Sequence, residues 1–178
     1  MLSLGVARLA GAAPANDDFA DRFLLADANL TAQSVLDGAT REPDEPRPST
    51  DFGASIWWEW TAPFSGGVAV ESLAPIVTAL AVFTGDTLSS LSLLASNPGY
   101  PGPTRVSFRA QTGERYQILV AATGAPGGTV TLRINPGPLN DDFAGRQAAT
   151  LNVASLGTLH GATREPSEPI HTSQGAWA

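Results

Sequence analysis

Across the middle of the chain, apolar residues come in short runs, several of them with a two-residue beat. Val106, Phe108 and Ala110 alternate with Ser107 and Arg109; Tyr116, Ile118 and Val120 alternate with Gln117 and Leu119; Val130, Leu132 and Ile134 alternate with Thr131 and Arg133. Period two places one set of side chains on each face of a strand, so these segments predict sheets with one buried and one wet face. The aromatic-rich segment 55–61 and the apolar runs 68–72, 79–83 and 91–94 predict four further strands. Between the runs, segments 65–67, 84–86, 98–103, 112–114 and 124–128 each carry Gly or Pro, the residues that tight turns require. Seven or more short strands at this spacing predict an all-β fold, an antiparallel β-sandwich of jelly-roll type. Segment 19–25 predicts one short helix, capped by Asn16 or Asp17.

An internal repeat orders the rest. Asn16-Asp17-Asp18-Phe19-Ala20 returns as Asn140-Asp141-Asp142-Phe143-Ala144, and Gly38-Ala39-Thr40-Arg41-Glu42-Pro43 returns as Gly161-Ala162-Thr163-Arg164-Glu165-Pro166. Glu45-Pro46 returns as Glu168-Pro169, and Gly53-Ala54 as Gly175-Ala176 before Trp177. The period of about 123 residues is that of a domain rather than of a solenoid unit. It predicts a complete module over 15–136 and the truncated start of a second copy over 137–178. Residues 1–14 then read as the tail strand of a preceding module, or alternatively as a leader, since Ala12-Ala13-Pro14-Ala15 supplies small residues near a cleavage point. Segment 140–178 contains none of the later strands, so it is not expected to be stable on its own.

Composition narrows the function classes. Net charge is −7, all ten basic residues are Arg, and they form no cluster, which argues against a nucleic-acid partner. The chain has no Cys, which excludes disulfides, thiolate metal sites and thiol nucleophiles. No apolar run reaches the roughly 20 residues that span a bilayer as a helix. The hydrolase, zinc-protease and P-loop signatures are absent.

Few residues offer chemistry. In a strand, Ile56, Trp58 and Trp60 share one face and read as core, whereas Trp57 shares the other, wetter face with Glu59 and Thr61. Trp57 and Glu59, with Tyr100 from the 98–103 loop, are therefore the candidate contact surface for an extracellular protein or polysaccharide. Asp17, Asp18, Glu42 and Glu45 are oxygen donors that tertiary convergence could bring to a calcium ion, which takes six to eight such ligands. The alternative is that they cap a short helix and fix a Pro-rich loop through backbone N–H groups. As a catalytic pair, Glu42 and Glu45 are poorly placed, because three extended residues separate their Cα atoms by about 10 Å. His160 and His171 have no counterparts in the first repeat.

Asn-Asp-Asp-Phe-Ala, Gly-Ala-Thr-Arg-Glu-Pro-x-Glu-Pro, then Gly53-Ala54-Ser55-Ile56-Trp57-Trp58-Glu59-Trp60-Thr61-Ala62-Pro63 and Ala81-Val82-Phe83-Thr84-Gly85 resemble the bacterial pre-peptidase C-terminal domain family. The resemblance spans the complete copy and the start of the next. It implies a jelly-roll-like sandwich in secreted and surface proteins, beside peptidase domains or in tandem arrays, with collagen, polysaccharide or calcium binding in some relatives. Acidic residues frequent in that family are missing at Pro75-Ile76-Val77-Thr78, at Asn97-Pro98 and at Val120-Ala121-Ala122. Pattern and resemblance together predict a non-catalytic structural or adhesive repeat of an exported protein, without a required cofactor, whose partners are neighbouring repeats.

Overall fold

The computed structural model describes residues 12–47, 52–99, 101–123, 127–154 and 156–168. Residues 1–11, where a preceding tail strand or leader is expected, lie outside them.

Among the described residues, nine strands form two sheets. They are β1 (Phe23–Leu25), β2 (Leu30–Val35), β3 (Phe52–Thr61), β4 (Gly66–Leu73), β5 (Thr78–Thr84), β6 (Ser92–Asn97), β7 (Thr104–Ala110), β8 (Arg115–Thr123) and β9 (Thr129–Pro136). The order is β1-β3-β8-β5-β6 in one sheet and β2-β9-β4-β7 in the other. Only β1, parallel to β3, breaks the antiparallel pattern.

The topology has a simple origin. The chain pairs as though folded in half at the β5–β6 hairpin: β5 with β6, β4 with β7, β3 with β8 and β2 with β9. This long double ribbon then rolls up, so that β4 also pairs with β9 and β5 with β8. Apart from the hairpin, successive strands from β2 onward alternate between the sheets. That is the jelly roll, with β1 added beside β3.

Period two becomes burial where a sheet has one wet face. β7 and β9 bury alternate residues, and Val106, Phe108, Val130, Leu132 and Ile134 meet Ile56, Trp58 and Trp60 between the sheets. Trp60, Tyr116 and Phe108 stack as tilted rings at 5.8 and 4.9 Å. The seven sequence-predicted strands are all present; six are extended at one or both ends, and the run 91–94 is shifted to Ser92–Asn97, Leu91 ending the 3-10 turn before it.

Two expectations are corrected. Segment 19–25 is not one helix: a single 3-10 turn, Phe19–Asp21, gives way at Arg22 to β1, and its first N–H is accepted by Glu42, not by Asn16 or Asp17. The face of β3 carrying Trp57 and Glu59 is not wet. Trp57 is 0% exposed and Glu59 7%, because Phe19, Ala79, Ala81, Phe83, Leu119 and Ala121 build a second apolar cluster around Trp57 on the outside of the five-stranded sheet. No helix among the described residues is long and apolar enough to cross a membrane.

Leu132→Ala, in the middle of the main core, is expected to cost about 2–5 kcal/mol in urea unfolding. Leu151→Ala, on the exposed tail, should change stability by no more than about 0.5 kcal/mol.

Candidate functional site

The residues singled out by the repeat meet at the outer face of β3. Asn16 pairs with Trp57 as a strand would: its carbonyl accepts the Trp57 N–H at 2.9 Å, and its side-chain amide donates to the Trp57 carbonyl at 2.9 Å. The Ser34 hydroxyl donates to Asn16 Oδ1. Asp17 accepts the Thr40 N–H and hydroxyl, both at 2.7 Å. Glu42 accepts the Phe19 N–H at 2.7 Å, and Arg41 donates to the Glu45 carbonyl at 2.6 Å. Gly38 holds φ at +76°, a left-handed turn that a side chain would strain. Together these bonds make a clasp between segments more than twenty residues apart in sequence.

Glu45 fastens the clasp to the sheet. Its carboxylate, 4% exposed, accepts Trp57 Nε1–H at 2.5 Å and the Ser55 hydroxyl at 2.6 Å. Phe19 stands edge-on to the Trp57 indole, centroids 5.0 Å apart. The guanidinium of Arg22 lies 4.4 Å above the Phe19 ring and donates to Glu59 at 2.9 and 3.1 Å. Gln117 adds a bond to Glu59 at 3.0 Å, and Arg115 stands 3.9 Å away.

Two of the buried carboxylates, Glu45 and Glu59, are tuned in opposite directions. Burial raises the Glu45 carboxyl above its ordinary range, outweighing the hydrogen bonds from Ser55 and Trp57. Burial also acts to raise Glu59, but hydrogen bonds from Gln117 and Arg22 and the charges of Arg22 and Arg115 prevail and hold it low.

The calcium candidates are not brought to a common point. Asp17, Glu42 and Glu45 are each occupied by the chain's own N–H and O–H donors, Asp18 faces solvent, and no group of three acidic or histidine side chains suited to a metal occurs among the described residues. Trp57 and Glu59, expected as a contact surface, instead form the inner layer beneath the clasp. Tyr100 and His171 lie outside the described residues. A shallow open hollow does sit beside the clasp, lined by Phe19, Arg22, Glu42, Asp86 and Leu88. Sequence reasoning missed Arg22 and Gln117, and offered Asn16 as a helix cap where it instead bonds Trp57 and Ser34. The usable signal was the unbroken apolar run Ile118–Ala122 of β8, since a strand buried on both faces loses its alternation.

The second copy repeats the Asp–Thr and Glu–Phe bonds of the clasp, while its Glu168 carboxylate accepts the Glu165 N–H instead of an indole. Asp141 accepts the Thr163 N–H and hydroxyl at 2.8 Å, Glu165 accepts the Phe143 N–H at 2.8 Å, and Arg146 lies 4.3 Å above Phe143. Gly161 repeats the left-handed turn at φ +75°. What differs is the floor: Phe19 and Leu36 are 5% and 0% exposed, whereas their counterparts Phe143 and Leu159 are 69% and 89% exposed.

No family model matches the chain, and no characterised protein matches it in sequence. Among solved structures it is similar to the pre-peptidase C-terminal domain of collagenase from Bacillus anthracis, at 13% identity and a TM-score of 0.45, over 64% of this chain and 96% of that one.

Glu45→Gln should hold stability at neutral pH, because the amide can still accept from Trp57 and donate to Ser55. Glu45→Ala leaves both partners unpaired and should cost about 1–3 kcal/mol. Because its folded pKa is raised, Glu45 contributes stability at pH values below its unfolded pKa, and this is lost as pH rises through the folded value. Glu59, held low, contributes above its unfolded pKa, and this is lost as pH falls through its folded value. Urea midpoints measured across acid pH should therefore show a shallower acid loss in Glu59→Gln and a steeper one in Glu45→Gln. Thermal melts with EDTA and with excess calcium should coincide, since a cation bound to the folded state alone would raise the midpoint.

Proposed function

We propose that this chain is a non-catalytic structural repeat of an exported multi-domain protein, its partners being neighbouring copies of the same module. The observation that carries the reading is the core of the clasp, whose Asp–Thr and Glu–Phe hydrogen bonds form twice. The polar residues that recur in sequence are spent on holding the fold, and recurrence at a domain-sized period is what a tandem array requires. In the first copy the clasp's Glu42 and Glu45, and Glu59 beside it, accept hydrogen bonds from the protein itself, which leaves them poorly placed to activate a substrate. The resemblance of the Trp-rich and Gly-Ala-Thr-Arg-Glu-Pro segments to pre-peptidase C-terminal domains supports an exported setting, beside a peptidase or within an adhesive array.

A second reading, an accessory module that binds protein or polysaccharide, is favoured only by the hollow beside Phe19, where an apolar floor meets the charges of Arg22, Glu42 and Asp86. Titration of the 178-residue chain against soluble collagen and against polysaccharides separates the two. The structural reading expects no saturable binding. Saturable binding that disappears in Leu88→Arg, a substitution that fills the hollow, would establish the second reading instead.

A further inference from the structure

The second clasp does not hang free; it is seated on the outer face of the four-stranded sheet of the complete module. Arg109, projecting from β7, donates to Asp142 Oδ1 at 2.6 Å and to Thr163 Oγ1 at 3.2 Å, and stands 3.8 Å from Asp141. Beside it three glycines bring backbones into contact. A Cβ on Gly67 would lie 2.5 Å from Asp141 Oδ2, 2.9 Å from the Gly161 carbonyl and 3.2 Å from Thr163 Oγ1, and a Cβ on Gly137 would lie 2.6 Å from that same carbonyl. Gly161 in turn rests on Ala69, which is fully buried although it points away from the main core. The connection from β9 is short, and its first amide, Gly137 N–H, is tied to the Gly67 carbonyl at 2.7 Å.

We propose that this face, made by Gly67, Ala69, Arg109 and Gly137, is the socket for the opening clasp of the following module, so that consecutive modules are held in one orientation instead of being strung on a free linker. The proposal rests on the repeat reading above and adds its geometry. The plug is the Asp-Asp pair with the left-handed glycine, and charge selects it: two carboxylates meet one guanidinium on an otherwise acidic chain. The first clasp carries the same plug, with Asp17, Gly38 at φ +76° and an exposed Asp18 whose carboxylate has no partner among the described residues. Plug and socket lie on different surfaces, so the contact is heterologous and propagates in one direction along an array.

The chain has no Cys, so cysteines introduced as Leu93→Cys on β6 and Leu159→Cys on the second clasp take two spin labels at exposed positions. Pulsed dipolar spectroscopy should give a single narrow distance for the otherwise unaltered chain. That peak should be lost to a broad distribution in Gly67→Ala/Arg109→Gln, with the melting transition of the module unchanged. The three atoms nearest a Gly67 Cβ all belong to the second clasp, so this wedge acts first on the joint. Should the double variant fail to fold, Arg109→Gln alone must broaden the peak. A broad distribution in the starting chain, or a narrow peak that survives these substitutions, overturns the joint. Neither outcome bears on ligand binding, so failure here is separable from failure of the non-catalytic reading.

Discussion

Trp57 and Trp58 are both fully buried, but only the Trp57 indole N–H finds a partner among the described residues, the Glu45 carboxylate. Much of the outer layer follows from this one bond. A carboxylate can be buried there only if its own oxygens are satisfied, which recruits Ser55 and fixes the Pro-rich loop against β3. The loop, so placed, presents Thr40 to Asp17 and Glu42 to the Phe19 amide, and those contacts draw the segment ahead of β1 across the sheet. Phe19 then closes over the indole. The central strands β3, β8 and β5 are thus buried on both faces, and a strand that would otherwise be amphipathic carries Trp57 on one side and Trp58 and Trp60 on the other.

The same arrangement solves a topological problem. In a ribbon folded at β5–β6, the outermost pair, β2 with β9, joins residues about a hundred positions apart, and closing such loops costs entropy before contacts repay it. The clasp ties the segment before β1 to the loop between β2 and β3, and the Asn16–Trp57 bonds dock both onto the ribbon's best-buried strand. It therefore fixes both ends of β2 relative to β3, and the β2–β9 pairing has a preset edge to meet.

How much of this the sequence disclosed depends on whether a signal was local. Alternation in β7 and β9 and the aromatic content of β3 are local, so those strands and the inward face of Ile56, Trp58 and Trp60 were legible. β2, with Leu30, Ala32 and Ser34 turned inward and Thr31, Gln33 and Val35 outward, is too weakly apolar to stand out. β1 owes its existence to pairing with β3 rather than to any propensity of Phe23-Leu24-Leu25. Trp57 and Glu59 were misplaced because alternation says which residues share a face, not whether that face is covered. What covers it comes from residues 16–22 and 42–45, and only the recurrence of those segments marked them as a unit.

Comparison of the two clasps separates what the motif does alone from what it does in a folded module. Asp141–Thr163 and Glu165–Phe143 match their counterparts to within about 0.1 Å, so the local hydrogen bonds do not need the sheet beneath. Burial of Phe143 and Leu159 does need it, and both are exposed. The motif is therefore a preformed element with two faces. In the first copy the apolar face closes over Trp57, and in the second the acidic residues Asp141 and Asp142 engage Arg109. If one clasp made both contacts, closing a module and aligning it with its neighbour would be the same event. An array built this way would transmit orientation from one sandwich to the next through the clasp, whatever the sandwiches themselves present to their surroundings.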